Sequence, residues 1–349
     1  MTPPFTPMSP TAPLSCVEIC AGAGGQALGL EQAGFGHTAL IEVDQDACAT
    51  LRANRPTWNV LQADVRDFKP DSLAVTPGQL SLFAAGVPCP PFSLAGQQLG
   101  SADERDLFPA ALAFVAALRP QAVLLENVKG LLQTKFAPCR EGILRQLGAL
   151  GYLAEWRLLY ACDYGVPQLR PRAILVALEP SAFAAFRWPE KTTDPLAMPG
   201  VGETLRDSMA SRGWELADGW AQKAGRIAPT LCGGSKKHGG PDLGPSRARK
   251  AWAEIGVNGA GVADFPPGPG DPLPVKLTLA QIALLQGFPP DWKFSGRKTA
   301  AYRQVGNAFP PPVAAAVGRS IAKALERVDS TCLASPAASA QRNRVGTPM

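Results

Sequence analysis

The sequence predicts an α/β protein, a parallel sheet covered by helices on both faces, with a smaller irregular domain attached. Three observations predict it. Short apolar runs alternate with segments of helical spacing from about residue 14 to 178, as strand–helix–strand units do when both sheet faces are buried. From about 180 to 275 the chain turns rich in Gly and Pro and loses its periodicity, a stretch too long for a structureless loop in one compact domain. Periodicity then returns, ending in a long helical pattern from about Pro311 to Val328.

The elements follow in order. Strands are expected at Leu14–Ile19, Thr38–Val43, Asn59–Gln62, Leu80–Ala85, Ala122–Leu125, Trp156–Ala161 and Ala173–Leu178. Each is a short apolar run, most of them rich in Val, Ile and Leu. Helices are expected at Gln26–Ala33, Asp46–Ala53, Leu107–Leu118, Arg140–Leu150 and Thr278–Gln286, where apolar residues recur every three to four positions. The predicted division is a disordered lead-in over 1–13, an α/β domain over 14–179, an irregular domain over 180–275, a returning segment over 276–328 and a disordered tail over 329–349.

Composition narrows the function. With 349 residues and 46% apolar content the chain can bury a full core. No apolar run approaches the roughly 18–20 residues that cross a bilayer, and the N-terminus lacks a secretory signal pattern. Its eight cysteines form no Cys-x-x-Cys pair, which fits reduced thiols in the cytoplasm. The only histidines are His37 and His238, leaving a Ser-His-Asp enzyme or a histidine-rich metal site almost nothing to use; no metal is expected. A net charge of +5 is compatible with a polyanionic partner.

Open α/β sheets bind ligands beyond the carboxyl ends of their strands, and the motifs fall there. The first strand runs into Glu18-Ile19-Cys20-Ala21-Gly22-Ala23-Gly24-Gly25. Its glycines let backbone amides approach a ligand at a helix N-terminus. Glu42 ends the second strand, where a carboxylate can take ribose hydroxyls, and Asp64 follows the third, where it can accept from an adenine amine. The spacing is not Gly-x-Gly-x-x-Gly and no pyrophosphate loop follows, so an adenosine without a diphosphate fits better.

The fourth strand ends in Gly86-Val87-Pro88-Cys89-Pro90-Pro91-Phe92-Ser93. A thiol on a loop held by a buried strand suits a nucleophile. Cys89-Pro90-Pro91-Phe92 also resembles the polar-Pro-Pro-aromatic motif of enzymes that methylate amino groups, but that motif needs a strong acceptor first, and cysteine is a weak one. Nucleophile is the better assignment. Glu126 follows the fifth strand, where burial would raise its pKa and let it share a proton with a ring nitrogen. Arg170 and Arg172 alternate, so in extended chain they share one face, suited to a base carbonyl and a phosphate.

In this order, the motifs resemble those of the DNA (cytosine-5)-methyltransferase family. Ala-Gly-x-Gly-Gly, Gly-x-Pro-Cys, Glu-Asn-Val, Gln-x-Arg-x-Arg, Gln-Gly-Phe-Pro and Gly-Asn all occur, over roughly 14–178 and 276–328. The resemblance implies a Rossmann-like S-adenosylmethionine-dependent methyltransferase sheet with an irregular target-recognition domain. It implies S-adenosylmethionine as cofactor and a flipped-out cytosine in double-stranded DNA as substrate. Cys89 would attack C6, Glu126 would hold N3 and the amine, and Arg172, with Arg170 beside it, would hold O2. The donor would lie against Cys20, Ala21, Gly22, Gly24, Gly25, Glu42, Val43, Asp64, Val65, Gly86, Pro88, Asn307 and Ala308. DNA contacts would fall on Ser93, Gln168, Lys236, Lys237, Arg247, Arg249 and Lys250. A monomer paired functionally, without a stable complex, with a cognate restriction endonuclease is expected.

The chain departs from the family pattern at Cys20, where Phe is usual, at Val43, where a larger side chain is frequent, and at Ala280 and Leu284, where arginines are common. Two alternatives compete: a transfer-RNA enzyme of the same fold, whose Cys-Phe-Thr signature is not found, and a catalytically dead DNA-binding scaffold, which would have no need to keep Cys89, Glu126 and Arg172.

Overall fold

The computed structural model describes residues 14–88, 106–194, 197–234 and 240–334. In chain order the first part is β1 (Leu14–Ile19), α1 (Gly25–Gln32), β2 (Phe35–Glu42), α2 (Gln45–Asn54), β3 (Val60–Gln62), β4 (Leu82–Gly86), α3 (Phe108–Leu118), β5 (Ala122–Val128), α4 (Ala137–Ala149), β6 (Leu153–Tyr160), β7 (Pro171–Leu178) and α5 (Pro180–Ala185). The second part is α6 (Val201–Ala210), α7 (Ala217–Lys223), α8 (Ser246–Glu254), α9 (Leu279–Leu285), α10 (Lys298–Asn307) and α11 (Pro311–Ala334).

Among the described residues, seven strands form one sheet in the order β3-β2-β1-β4-β5-β7-β6. The first five lie parallel. The sheet is mixed rather than purely parallel as expected, because β7 runs antiparallel to both β5 and β6. The reversal has a consequence for function. The residues at the start of β7, Pro171 and Arg172, reach the edge where the parallel strands end.

Period-two alternation along the strands sorts the two faces. Val17, Ile19, Phe83, Ala85, Val123 and Leu125 pack against α3 and α4. Cys16, Leu82, Ala84, Leu124, Ile174 and Val176 pack instead against Leu30 of α1, Ala182 of α5 and Val313 to Leu325 of α11. Helix α11 therefore covers the sheet although it lies far from it in sequence. Gly29 makes this approach possible, since a Cβ there would lie 2.4 Å from the Pro311 carbonyl oxygen.

Three boundaries differ from expectation. The stretch from 180 contains the short helices α5 to α8, not expected from the sequence: α6 and α7 carry an internal glycine, and α5 and α8 begin at or just after a proline. Helix α5 and Trp188 belong by packing to the sheet, so the sheet layer runs past residue 180. Helix α11 reaches Ala334 and not Val328, because neither Gly nor Pro occurs between Val328 and Pro336. The expected lead-in over 1–13 and the rest of the tail lie outside the described residues. Helix α9 begins at a capping box, with Gln281 N–H donating to Thr278 Oγ1 and Thr278 N–H to Gln281 Oε1.

Candidate active site

The site is built where β4, β5 and β7 meet. Register sets Gly86 opposite Glu126 on the parallel pair and Val128 opposite Arg172 on the antiparallel pair. Glu126 and Arg172 consequently face one another, with Arg172 Nε 2.7 Å from Glu126 Oε1 and side chains only 9% and 8% exposed for Arg172 and Glu126. A Cβ on Gly86 would lie 4.0 Å from Glu126 Oε2, so the second carboxylate oxygen faces the strand that leads to Cys89. Burial pushes the Glu126 carboxyl above its ordinary range, opposed by the charges of Arg172 and Arg170 and by the Arg172 hydrogen bond. Asn127 donates from Nδ2 to the Val87 carbonyl at 3.3 Å, tying β5 to the start of the Cys89 loop. Cys89 and Ser93 themselves lie outside the described residues.

The glycine-rich turn after β1 forms the second part. Gly22 and Gly24 take φ of 53° and 84°, the left-handed region that favours glycine. Cys20 also sits there at 53°, uncommon for a residue with a Cβ. Nothing comes within 4 Å of a Cβ placed on Gly22, whereas one on Gly25 would lie 2.3 Å from the Phe309 carbonyl oxygen and 3.3 Å from Ala308 Cβ. The turn is open on the Gly22 side and closed at Gly25 by the α10–α11 junction. Glu42 fixes the turn, accepting from Gly22 N–H and from Asp44 N–H, each at 2.8 Å. Beside it Val43 is 58% exposed, an apolar surface at the strand end.

Glu18 and Gln26 were missed by sequence reasoning as site residues. Both are buried, and Glu18 Oε2 and both amide atoms of Gln26 make no hydrogen bond of good geometry. Burial raises the Glu18 carboxyl well above its usual range, partly offset by the neighbouring Gln26 amide. A carboxylate at the end of an otherwise apolar strand was the available signal. Orphaned buried polar atoms call for a ligand or water. Together with open space at Gly22, the Glu42 carboxylate and the Val43 surface, they fit an adenosyl amino acid carrying a polar, cationic end.

Other expected residues are placed differently. Gln168 is 0% exposed and fully engaged. Its Nε2 donates to Gln286 Oε1 at 2.6 Å and Leu285 O at 3.1 Å, and its Oε1 accepts from Leu231 N–H at 2.9 Å. In this arrangement its amide is taken up by protein groups, where a DNA contact was expected. Arg170, 1% exposed, turns away from Arg172. It donates to Leu231 O at 2.7 Å, Gly306 O at 2.8 Å and Ala308 O at 2.9 Å. Carbonyls hold its two terminal nitrogens, which were expected to meet a base or a phosphate, so the structure does not bring Arg170 together with Glu126 and Arg172.

Asp64 is held by Arg66 through Nε, at 3.0 and 3.2 Å, and through its N–H at 3.0 Å. These bonds pull its carboxyl down to about 2, and an adenine amine would have to share it. Val65 is buried beneath this turn, and Pro88 is half-buried at the exit of β4. Asn307 directs Nδ2 to the Gly234 carbonyl at 3.2 Å, so its amide faces the segment at Gly234 while Ala308 meets the glycine turn. On α8, Arg247 and Lys250 are exposed. Arg249 is half-buried, donating to Ser246 Oγ at 3.3 Å. Lys236 and Lys237 lie outside the described residues. No metal-type cluster of His, Cys, Asp and Glu occurs among the described residues, and no described helix is long and apolar enough to cross a membrane.

Comparison with known proteins places this geometry. The family described as C-5 cytosine-specific DNA methylase matches residues 14–323. The chain is 56% identical over 318 residues to the type II methyltransferase M.NaeI of Lentzea aerocolonigenes, covering 89% of this chain and 75% of that protein. It is 50% identical over 314 residues to the type II methyltransferase M.NgoMIV of Neisseria gonorrhoeae, covering 89% and 98%. Among solved structures, the methyltransferase EhMeth of Entamoeba histolytica superposes with a TM-score of 0.61 at 14% identity, covering 90% of this chain and 99% of that one. The Dnmt2 methyltransferase of S. pombe superposes at 0.57 and 17% identity, with the same coverage. At these identities the superpositions speak to the fold alone.

Proposed function

The chain belongs to the C-5 cytosine-specific DNA methylase family, and on that premise we propose how its residues carry out methylation of cytosine C5 in duplex DNA. The observation that carries this reading is the buried Glu126–Arg172 pair beside Gly86, at the strand end three residues before Cys89.

Cytosine C6 is a poor electrophile, so attack needs a soft nucleophile and an activated ring. Cys89, as thiolate, forms a bond to C6, and the displaced electron pair moves into the ring toward N3 and O2. Glu126, kept protonated to higher pH than an ordinary carboxyl, donates at N3 and accepts from the exocyclic amine. Arg172 stabilises the charge that builds on O2, and its pairing through Nε holds the Glu126 carboxyl in place. C5 becomes nucleophilic. C5 then takes the methyl group, its proton passes to solvent, and the C5–H electron pair re-forms the C5–C6 double bond as the Cys89–C6 bond breaks, restoring the aromatic ring and the thiolate. A base stacked in a duplex is out of reach, so extrusion precedes attack at a cost of a few kcal/mol.

S-adenosylmethionine, when bound, supplies the methyl group as a sulfonium-activated electrophile. Gly22, Gly24 and Gly25 admit it by backbone approach, Glu42 takes its ribose hydroxyls and Val43 meets its adenine face. Glu18 and Gln26 receive its polar end. Arg247, Arg249 and Lys250 on α8 contact DNA phosphates. The enzyme serves as the modification partner of a restriction nuclease in the cytoplasm.

The test is methyl transfer from isotope-labelled S-adenosylmethionine to mixed-sequence duplex DNA, with Cys89→Ser in parallel and the nucleosides identified by mass spectrometry. Label on 5-methylcytosine that disappears in the variant is the expected result. Label on N4 of cytosine or N6 of adenine, or label on transfer RNA alone, would overturn the reading.

A further inference from the structure

Four segments distant in sequence meet behind the start of β7 in a closed ring of hydrogen bonds. Gln168 joins Gln286 and Leu231. Gln286 Nε2 donates to Ala308 O at 2.6 Å. Arg170 closes the ring by bonding Leu231 O, Gly306 O and Ala308 O. The carbonyls it holds belong to two places. Leu231 opens the segment that continues through Gly233 and Gly234 into the recognition region. Gly306 and Ala308 form the junction of α10 and α11.

That junction is the wall of the glycine turn. Ala308 and Phe309 sit so close to Gly25 that no side chain fits between them. On its other side it is just as tight, since a Cβ on Gly306 would lie 2.5 Å from Gly233 Cα. Asn307 adds its bond to Gly234 O. Any displacement of the junction therefore moves both the turn at Gly25 and the recognition segment at Gly233, because packed contacts of this kind cannot deform smoothly.

We propose that Arg170 is a positioning residue for the methyl donor: by pinning Gly306 and Ala308 it holds the wall of the donor pocket against Gly25 and ties that wall to the recognition segment at Leu231. This rests on the donor occupying the glycine turn, as read above. A lysine keeps the charge but lacks the planar fork that reaches carbonyls on two sides at once.

Kinetic constants separate this role from its rivals. In Arg170→Lys, with folding checked by thermal melting, KM for S-adenosylmethionine is expected to rise about tenfold, with kcat within about threefold of wild type. A fall in kcat at unchanged donor KM would make Arg170 a participant in the chemistry and overturn the proposal. A tenfold rise in KM for DNA alone, or a lower Tm with unchanged kinetic constants, would overturn it equally. Should that variant not fold, Gln286→Leu removes the second strut to Ala308 O and leaves Arg170 intact. A rise of about threefold or more in donor KM is then expected, and no rise overturns the proposal. A wild-type enzyme that transfers no methyl group to DNA would instead overturn the underlying assignment of the site, and the proposal with it.

Discussion

Arg172 and Glu126 form an ion pair, Nε to Oε1 at 2.7 Å, that only the antiparallel placement of β7 makes possible. Removing one member of such a buried pair leaves the other desolvated and uncompensated, at about 3–5 kcal/mol. Arg172→Met should therefore lower unfolding free energy by about that amount, measured by urea denaturation. Adding Glu126→Gln to it should restore part of the loss. A double variant less stable than Arg172→Met would contradict this account of the pair.

The pH dependence follows from the direction of the Glu126 shift. Its folded-state pKa is raised, chiefly by burial. The group's contribution to stability is thus fully present below the unfolded value of about 4.3 and lost as pH rises through the folded value. The stability difference between wild type and Glu126→Gln should accordingly move against the wild type as pH rises above the unfolded value of about 4.3. A difference that moves the other way would mean the arginines outweigh burial. In the proposed mechanism the same proton is donated at N3, and Glu126→Gln should slow methyl transfer by about 10²-fold or more.

Cys20 occupies a left-handed backbone position in the glycine-rich turn proposed to bind the donor. An aromatic ring there gains a stacking contact with adenine worth about 0.5–1.5 kcal/mol. Cys20→Phe should tighten the S-adenosylmethionine dissociation constant by about two- to tenfold, measured by calorimetry. An unchanged or weaker constant would show that the lost ring is not what limits donor affinity.

Gly25 has backbone as its nearest neighbour, at 2.3 Å from any added Cβ. Gly25→Ala must displace the Phe309 carbonyl, an overpacking cost of about 1–3 kcal/mol. It should also raise donor KM, because the displaced segment is the pocket wall. Full retention of both Tm and KM would show that α11 yields more easily than its packing suggests.

On α8, Arg247 and Lys250 are free to meet phosphate, whereas Arg249 is partly committed to Ser246 and packs over Gly259. Arg247→Ala and Lys250→Ala should each weaken DNA binding across sequences and reduce the slope of log K against log salt by about 1. Fluorescence anisotropy at several salt concentrations checks this. A slope unchanged in both variants would place the DNA elsewhere.

The strands were legible because burial on both faces demands continuous apolar runs, and all seven appear within a few residues of their predicted bounds. Helices α6 to α8 and α10 were not, since each is only two or three turns long and lies among glycines and prolines that break up the pattern around it. Glu126 could be placed near the end of the fifth strand from the apolar run before it, a local feature, although β5 continues to Val128. Gln168 and Arg170 could not, because their partners at Leu231, Gln286, Gly306 and Ala308 lie between 61 and 138 residues away.

The sequence by itself determined the fold class, the family, the glycine turn and the identity of the candidate nucleophile and acid, because motif chemistry and strand burial are written in adjacent residues. Only the tertiary structure decided that β7 runs backwards, so that Arg172 meets Glu126 while Arg170, two residues earlier, is turned into a buried brace. It alone brought the α10–α11 junction against Gly25. Two arginines in extended chain look equivalent on paper. Long-range packing supplies the acceptors that tell them apart.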